Sequence, residues 1–392
     1  MVVVLPRLMS DLPDVILLAV AMACQAAGAW RLLRRTTKPA LRRATIAATG
    51  VSFVLMGFGF LLRFARVARH FPGEWTTWAS ALAILWILLS LLWLASWVAV
   101  TALTPLLASI RAPHDSARRH FLLGARAVLI AAPPALVGYG TFIQRTRFAL
   151  REQKVEIPNL PPDLEGVRLV QVTDIHLSPF LSRKDLERAV AMANETRAHV
   201  ALVTGDLITT KRDPLDDCLR ALAGLRTDAG IFGCLGNHEV YARTENYTER
   251  EGARLGLRFL RRAAAPLRFG AATLNLAGVD YQRARRPYLA GAEEMIVPGA
   301  VNVLLSHNPD VFPVAASQGY ALTVSGHTHG GQVRVEILGQ DLNVARFYTP
   351  YVDGIYRKDS SSIFVSRGIG TIGVPARFGA PPEVALLHLC RG

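Results

Sequence analysis

A chain of 392 residues is more than one domain's worth, and 51% hydrophobic content with a formal charge of +14 suggests either a membrane protein or a nucleic-acid binder. Splitting the charge excludes the second: residues 1–150 carry 16 Lys and Arg against 4 Asp and Glu, and residues 151–392 carry 28 against 26. The excess sits between apolar segments, where it marks topology, and the remainder offers no basic face to a polyanion.

Four apolar stretches come first: Leu12–Trp30, Ala44–Leu62, Trp78–Leu103 and Phe121–Ile143, the last containing Arg126 and the Pro133-Pro134 pair. Each reaches the roughly 20 residues that cross a bilayer. Ala44–Leu62 and Trp78–Leu103 have no polar face to present to water, which argues against a soluble helical domain. The densest positive loop holds Arg31, Arg34, Arg35, Lys38, Arg42 and Arg43, so it is expected in the cytoplasm. The loop with Arg63, Arg66 and Arg69 then lies outside and that with Arg111, Arg118 and Arg119 inside, leaving everything after Ile143 outside. Arg118-Arg119 before the fourth stretch also resembles a twin-arginine export signal. Four transmembrane helices are thus expected over 1–146, with the lipid bilayer as a partner.

A polar linker is expected over 147–160, and a catalytic domain over 161–392. In that domain strand and helix signals alternate. Val167–Val172 ends in Asp174-Ile175-His176, Val200–Val203 in Gly205-Asp206, and Ile231–Leu235 in Gly236-Asn237-His238-Glu239. Leu274–Gly278 leads to Asp280, Val301–Leu305 to His307, and Ala321–Ser325 to Gly326-His327-Thr328-His329-Gly330-Gly331-Gln332. Lys184–Ala198 has helical period, and Ile363–Ser366 and Val384–Leu389 read as closing strands. Alternation of this kind predicts an α/β sheet covered by helices, with ligands bound beyond the carboxyl ends of the strands.

Those ends gather Asp174, His176, Asp206, Asn237, His238, His307, His327 and His329. The set is too large for one tetrahedral ion. Its mixture of carboxylate, amide and imidazole suits Mn, Fe or Zn, with Mn favoured, better than Ca or Mg. Two ions about 3.5–4 Å apart, with Asp206 bridging, would use all of it and favour in-line displacement at phosphorus. Arg367 and Arg377 are candidates to clamp a substrate phosphate.

In this order the blocks resemble those of the calcineurin-like metallophosphoesterases, and the resemblance covers about residues 155–392. The form of Gly326–Gln332, with Ser366–Gly370 and Arg377–Glu383 downstream, is similar to the bacterial membrane-associated and exported branch, some of whose members hydrolyse the pyrophosphate of UDP-diacylglucosamine. The resemblance implies a double β-sandwich flanked by helices. It implies Asp174, His176 and His329 on one metal, Asn237, His307 and His327 on the other, and Asp206 between them. It implies His238 as the general acid, oriented by Asp174 or Glu239. The expected substrate is a phosphorylated lipid or small phosphoester at a bacterial inner membrane, with no nucleic acid; an extracytoplasmic protein or nucleotide phosphatase and a non-enzymatic binding protein are the alternatives.

Two other motifs carry little. Gly368–Gly373 spells GxGxxG, but Pro375 follows at once and leaves no helix N-terminus to receive a pyrophosphate. His327-x-His329 lacks the Asp-His continuation of a metallo-β-lactamase site. The four cysteines, Cys24, Cys218, Cys234 and Cys390, show no framework spacing and read as single buried thiols.

Overall fold

The computed structural model describes residues 5–62, 67, 70, 71, 73, 75–108, 116–283, 288–337 and 340–392. Arg63, Arg66, Arg69 and Arg111, used above for orientation, lie outside these residues. Two compact units divide between Tyr139 and Gly140.

The first unit is helical: α1 (Leu5–Arg35), α2 (Pro39–Leu61), α3 (Trp75–Ala108) and α4 (Ser116–Gly138). Each supplies a span long and apolar enough to cross a membrane: Val15–Arg35, Pro39–Leu61, Trp75–Ala102 and Leu123–Thr146. Large apolar side chains such as Val54, Leu55 and Leu82 face outward, while polar groups pair inside. Gln25 Nε2 donates to Ser90 Oγ (2.8 Å), Ser52 Oγ to Gln25 Oε1 (2.6 Å), and Trp86 Nε1 to Ser52 Oγ (2.7 Å). Such a chain of bonds ties α1, α2 and α3 where lipid would satisfy none of these groups.

The second unit is built on two six-stranded sheets. The first runs, edge to edge, β1 (Ala149–Ile157), β14 (Glu383–Arg391), β2 (Arg168–Val172), β3 (Val200–Thr204), β4 (Ile231–Cys234) and β5 (Leu257–Phe259). The second runs β12 (Gly354–Lys358), β13 (Ser361–Val365), β9 (Leu322–Ser325), β8 (Val301–Leu305), β7 (Ala272–Gly278) and β6 (Ala263–Phe269). β10 (Arg334–Ile337) and β11 (Gln340–Asn343) form a separate antiparallel pair. β2 to β5 are parallel to one another, as are β7, β8, β9 and β13.

Side-chain alternation sets the layers. Val200 and Leu202 of β3, with Leu387 and Leu389 of β14, meet Leu276, Val303 and Leu322 of the facing sheet in one apolar core. Ala201 and Val203 point the other way, onto α5 (Arg183–Glu195) and α6 (Leu215–Leu222). Behind the second sheet, Ala277 and Leu304 pack with Ala315 of α7 (Phe312–Gln318). The result is a β-sandwich with helices outside, as the resemblance implied. The expectation of a single covered sheet gives way because both sheets have two buried faces.

The expected linker is not one: Ala149–Ile157 is β1, in parallel register with β14. It reads as polar because an edge strand buries only Val155 and Ile157 fully and leaves Glu152, Lys154 and Glu156 to water.

Candidate metal centre

Every candidate ligand stands just beyond a parallel strand: Asp174 after β2, Asp206 after β3, Asn237 after β4, His307 after β8, and His327 and His329 after β9. The chain must turn sharply there. Asp174, His176, Asp206, His327 and His329 all hold left-handed backbones, with φ between 48° and 78°. Non-glycine residues adopt this region rarely and at a cost of order 1–3 kcal/mol each, and such strain clusters at functional sites.

Backbone cross-ties hold the turns. His327 N–H donates to Asp174 Oδ1 (2.9 Å) and His238 N–H to Asp206 Oδ1 (2.9 Å). The buried Glu239 carboxylate accepts from the N–H groups of Asp206 (2.9 Å), Leu207 (2.8 Å) and Gly236 (2.8 Å). Two glycines permit the approach: a Cβ at Gly326 would collide with the Asp174 carboxylate, and one at Gly236 with that of Asp206.

The side chains converge in overlapping groups. Asp174, His176 and His329 bring one donor atom each within 4.8 Å of one another, as do Asp206, His307 and His327, and His176, Asp206 and His238. His176 Nε2 lies 3.2 Å from His329 Nε2 and 3.5 Å from Asp206 Oδ2. His307 Nε2 lies 3.2 Å from His327 Nδ1 and 3.1 Å from the same Asp206 oxygen. Asn237 Oδ1 is buried and has no hydrogen-bond partner, an unusual state for an amide oxygen that a cation would relieve. Outer contacts fix the imidazoles: His307 Nδ1–H donates to the Thr204 carbonyl (2.7 Å), turning Nε2 inward, and His176 Nδ1 meets Thr209 Oγ1 (3.1 Å). This donor set fits divalent ions of the Mn, Fe and Zn kind.

The electrostatics of the cluster's own side chains point the same way. Burial lowers His176 to about 3 and His327 to about 4, keeping their nitrogens neutral and free to ligate. Burial also opposes charge on His307, but the adjacent Asp206 carboxylate outweighs it and raises His307 to about 10. A proton on His307 thus occupies the place of positive charge beside Asp206.

Two expectations are corrected. Arg377 does not face a substrate: it is fully buried, and its guanidinium donates to the carbonyls of Gly370 (2.9 Å), Arg367 (2.8 Å), Ala380 (3.1 Å) and Gly368 (3.1 Å). Arg367 is part-exposed and pairs with Asp353 (2.7 Å) and, more loosely, Glu383 (3.7 Å). Neither Asp174 nor Glu239 orients His238; its Nδ1–H donates to the Thr209 carbonyl (2.7 Å). The loop that presents Thr209 is shaped by Asp213, whose Oδ2 accepts from the Thr209 (2.9 Å) and Thr210 (2.6 Å) N–H groups. Sequence reading missed Thr209 and Asp213, and the Asp213-Pro214 pair just ahead of α6 was the available signal.

Residues 167–331, the stretch that carries all these candidate ligands, match the calcineurin-like phosphoesterase family. An uncharacterized metallophosphoesterase of Aquifex aeolicus is 30% identical over 266 residues, covering 64% of this chain and 95% of that protein. The chain belongs to the calcineurin-like phosphoesterases. It is a metallophosphoesterase with a transmembrane helical unit. The Escherichia coli phosphodiesterase YaeI is 27% identical over 278 residues, 69% of this chain and 98% of that one. A zebrafish transmembrane protein with a metallophosphoesterase domain is 32% identical over 253 residues, 60% of this chain; the match spans 56% of the zebrafish protein's length.

Proposed function

We propose that this phosphoesterase hydrolyses a lipid-linked or cell-envelope phosphoester, such as a pyrophosphate of the UDP-diacylglucosamine kind, on the outer face of a bacterial inner membrane. The observation that carries the two-ion reading is the shared carboxylate: one Asp206 oxygen stands within 3.5 Å of His176 and within 3.1 Å of His307, which belong to different donor groups. Asp174, His176 and His329 would hold one ion, and Asn237, His307 and His327 the other, with Asp206 common to both. Divalent ions, Mn being favoured, supply charge neutralisation to a phosphoester and acidify water.

The protein's own contribution is positioning and one proton. His238 is only half-buried, unlike His176, His307 and His329. With Nδ1–H bound to the Thr209 carbonyl, its Nε2 is the nitrogen left to exchange a proton with the leaving oxygen. The near-neutral charge of residues 151–392 disfavours nucleic acid, and the four spans favour a membrane-borne ester. The Gly326–Gln332 stretch supports membership in the membrane-associated or exported branch.

The experiment is paired substitution with Mn supplied. Asp206→Ala is expected to lose bound metal and hydrolysis of bis(p-nitrophenyl) phosphate together. His238→Gln is expected to keep metal and lose roughly 10²-fold or more in rate; undiminished rate would remove its assigned role. A substrate panel with detergent-dispersed lipid pyrophosphates, nucleotides and phosphopeptides decides the ester, preference for a soluble substrate overturning the lipid assignment. A C-terminal alkaline phosphatase fusion is expected to be active, and inactivity beside an active cytoplasmic reporter fusion would reverse the orientation.

A further inference from the structure

Within the catalytic unit, the end of the last membrane span is fastened to the metal site. That span runs Leu123–Thr146, and the unit begins at Gly140. Arg377 N–H donates to the Gly140 carbonyl (3.1 Å), and Gly379 N–H donates to Gln144 Oε1 (3.2 Å). The approach is close, since a Cβ on Gly140 would stand 2.8 Å from the Arg377 carbonyl oxygen. The gripped loop leads directly to the ligands. The buried Arg377 guanidinium reaches His329 Nδ1 (3.4 Å), and Val333 bridges Phe378 from the other side.

Several large apolar side chains are exposed on the segments around this loop, with Arg147 and Arg346 exposed among them. Phe142 and Ile143 stand out from the span's end, and Val333 follows the Gly326–Gln332 stretch. Phe347 and Tyr348 are 88% and 83% exposed. They close a short turn, Val344–Phe347, whose cap Asn343 donates through Nδ2 to the Gly330 carbonyl beside His329 (2.9 Å). Adjacent aromatics so fully exposed mark an interaction surface, and Phe142, Ile143 and Val333 add exposed apolar side chains on neighbouring segments.

We propose that Phe142, Ile143, Val333, Phe347 and Tyr348 form a rim that lies in the interfacial layer of the bilayer, so that the metal site opens at the membrane surface. Continuity selects this occupant. Phe142 and Ile143 belong to the span itself, Val333 pairs with Phe378 of the loop that fastens the span, and Phe347 and Tyr348 close the turn that Asn343 ties to Gly330. Aromatic rings favour the interfacial layer, with an apolar body and, in tyrosine, a polar tip. The inference rests on the lipid-borne substrate reading and deepens it: the phosphate enters the site while the acyl chains stay in the bilayer.

The test is depth-resolved quenching in the full chain, reconstituted in phosphatidylethanolamine–phosphatidylglycerol nanodiscs in a Cys24→Ala, Cys390→Ala background. Bimane is attached at Phe347→Cys, at Tyr348→Cys and, as control, at Tyr247→Cys on the helix Glu245–Arg254. Doxyl lipid labelled near the headgroup is expected to quench the 347 and 348 probes at least twofold and leave the 247 probe unchanged. Equal response at all three positions, or none at 347 and 348, overturns the proposal. Quenching needs no turnover, so failure to hydrolyse any phosphoester would sink the proposed function while leaving this reading intact.

Discussion

Arg377 shows how a single residue acquires its meaning from what it donates to. Its guanidinium fills the space under the metal loops and satisfies backbone carbonyls of Arg367, Gly368, Gly370 and Ala380. Burial lowers it to about 10, still charged at neutral pH. Removing the donor leaves several buried acceptors unpaired, each costing about 1–3 kcal/mol. Arg377→Met is therefore expected to lower stability by about 3 kcal/mol or more in thermal or denaturant melts; an unchanged melt with lost activity would return Arg377 to substrate binding. The candidate ligands stand out in the sequence because Asp, Asn and His at successive strand ends are a pattern of types and places, and the fold brings them together. Arg377 was misread because sequence shows a charge but not the carbonyls around it.

At the scale of elements, the loop between β3 and α6 governs two histidines at once. Thr209 offers its hydroxyl to His176 and its carbonyl to His238, and Asp213 pins the loop through two N–H groups. Asp213→Ala is expected to retain metal, since it is none of the proposed ligands, and to lose about tenfold in rate, because small misplacements of His238, the proposed proton donor, are costly. Retained rate with lost metal would mean that the loop serves His176 alone. The apolar strands β2, β3, β4, β8 and β9 were legible from short β-branched runs. β1 was not, since its outward side chains are those of a linker. Nor does a run of strands disclose that it will divide into two facing sheets, because that choice is made by contacts between distant residues such as Leu202 and Val303.

For the whole molecule, the charge inside the site couples stability to pH. His307 is raised to about 10 from an ordinary 6.5, so its pairing with Asp206 contributes fully below pH 6.5 and fades as pH rises toward 10. Metal-stripped protein in nanodiscs is expected to lose stability between pH 7 and 8, by up to roughly 1.4 kcal/mol per pH unit. Saturating Mn is expected to abolish the slope, because a ligating imidazole is already deprotonated. A metal-stripped melting temperature that stays flat over this range would contradict the raised value. Membrane character was legible at this scale, from apolar stretches and the uneven placement of arginines, whereas the rim beside the site was not, because it gathers residues from 142 to 348. The strand order has one more consequence, for synthesis. β14, residues 383–391, stands between β1 and β2 in the first sheet. The ribosome makes β1 and β2 more than 200 residues earlier, and until β14 emerges β1 has no sheet partner and β2 has only β3. The nascent chain therefore carries two unpaired strand borders through most of its elongation, and those borders are templates for wrong pairing. A chain halted before residue 383 keeps every proposed metal ligand and lacks the strand that joins its first sheet.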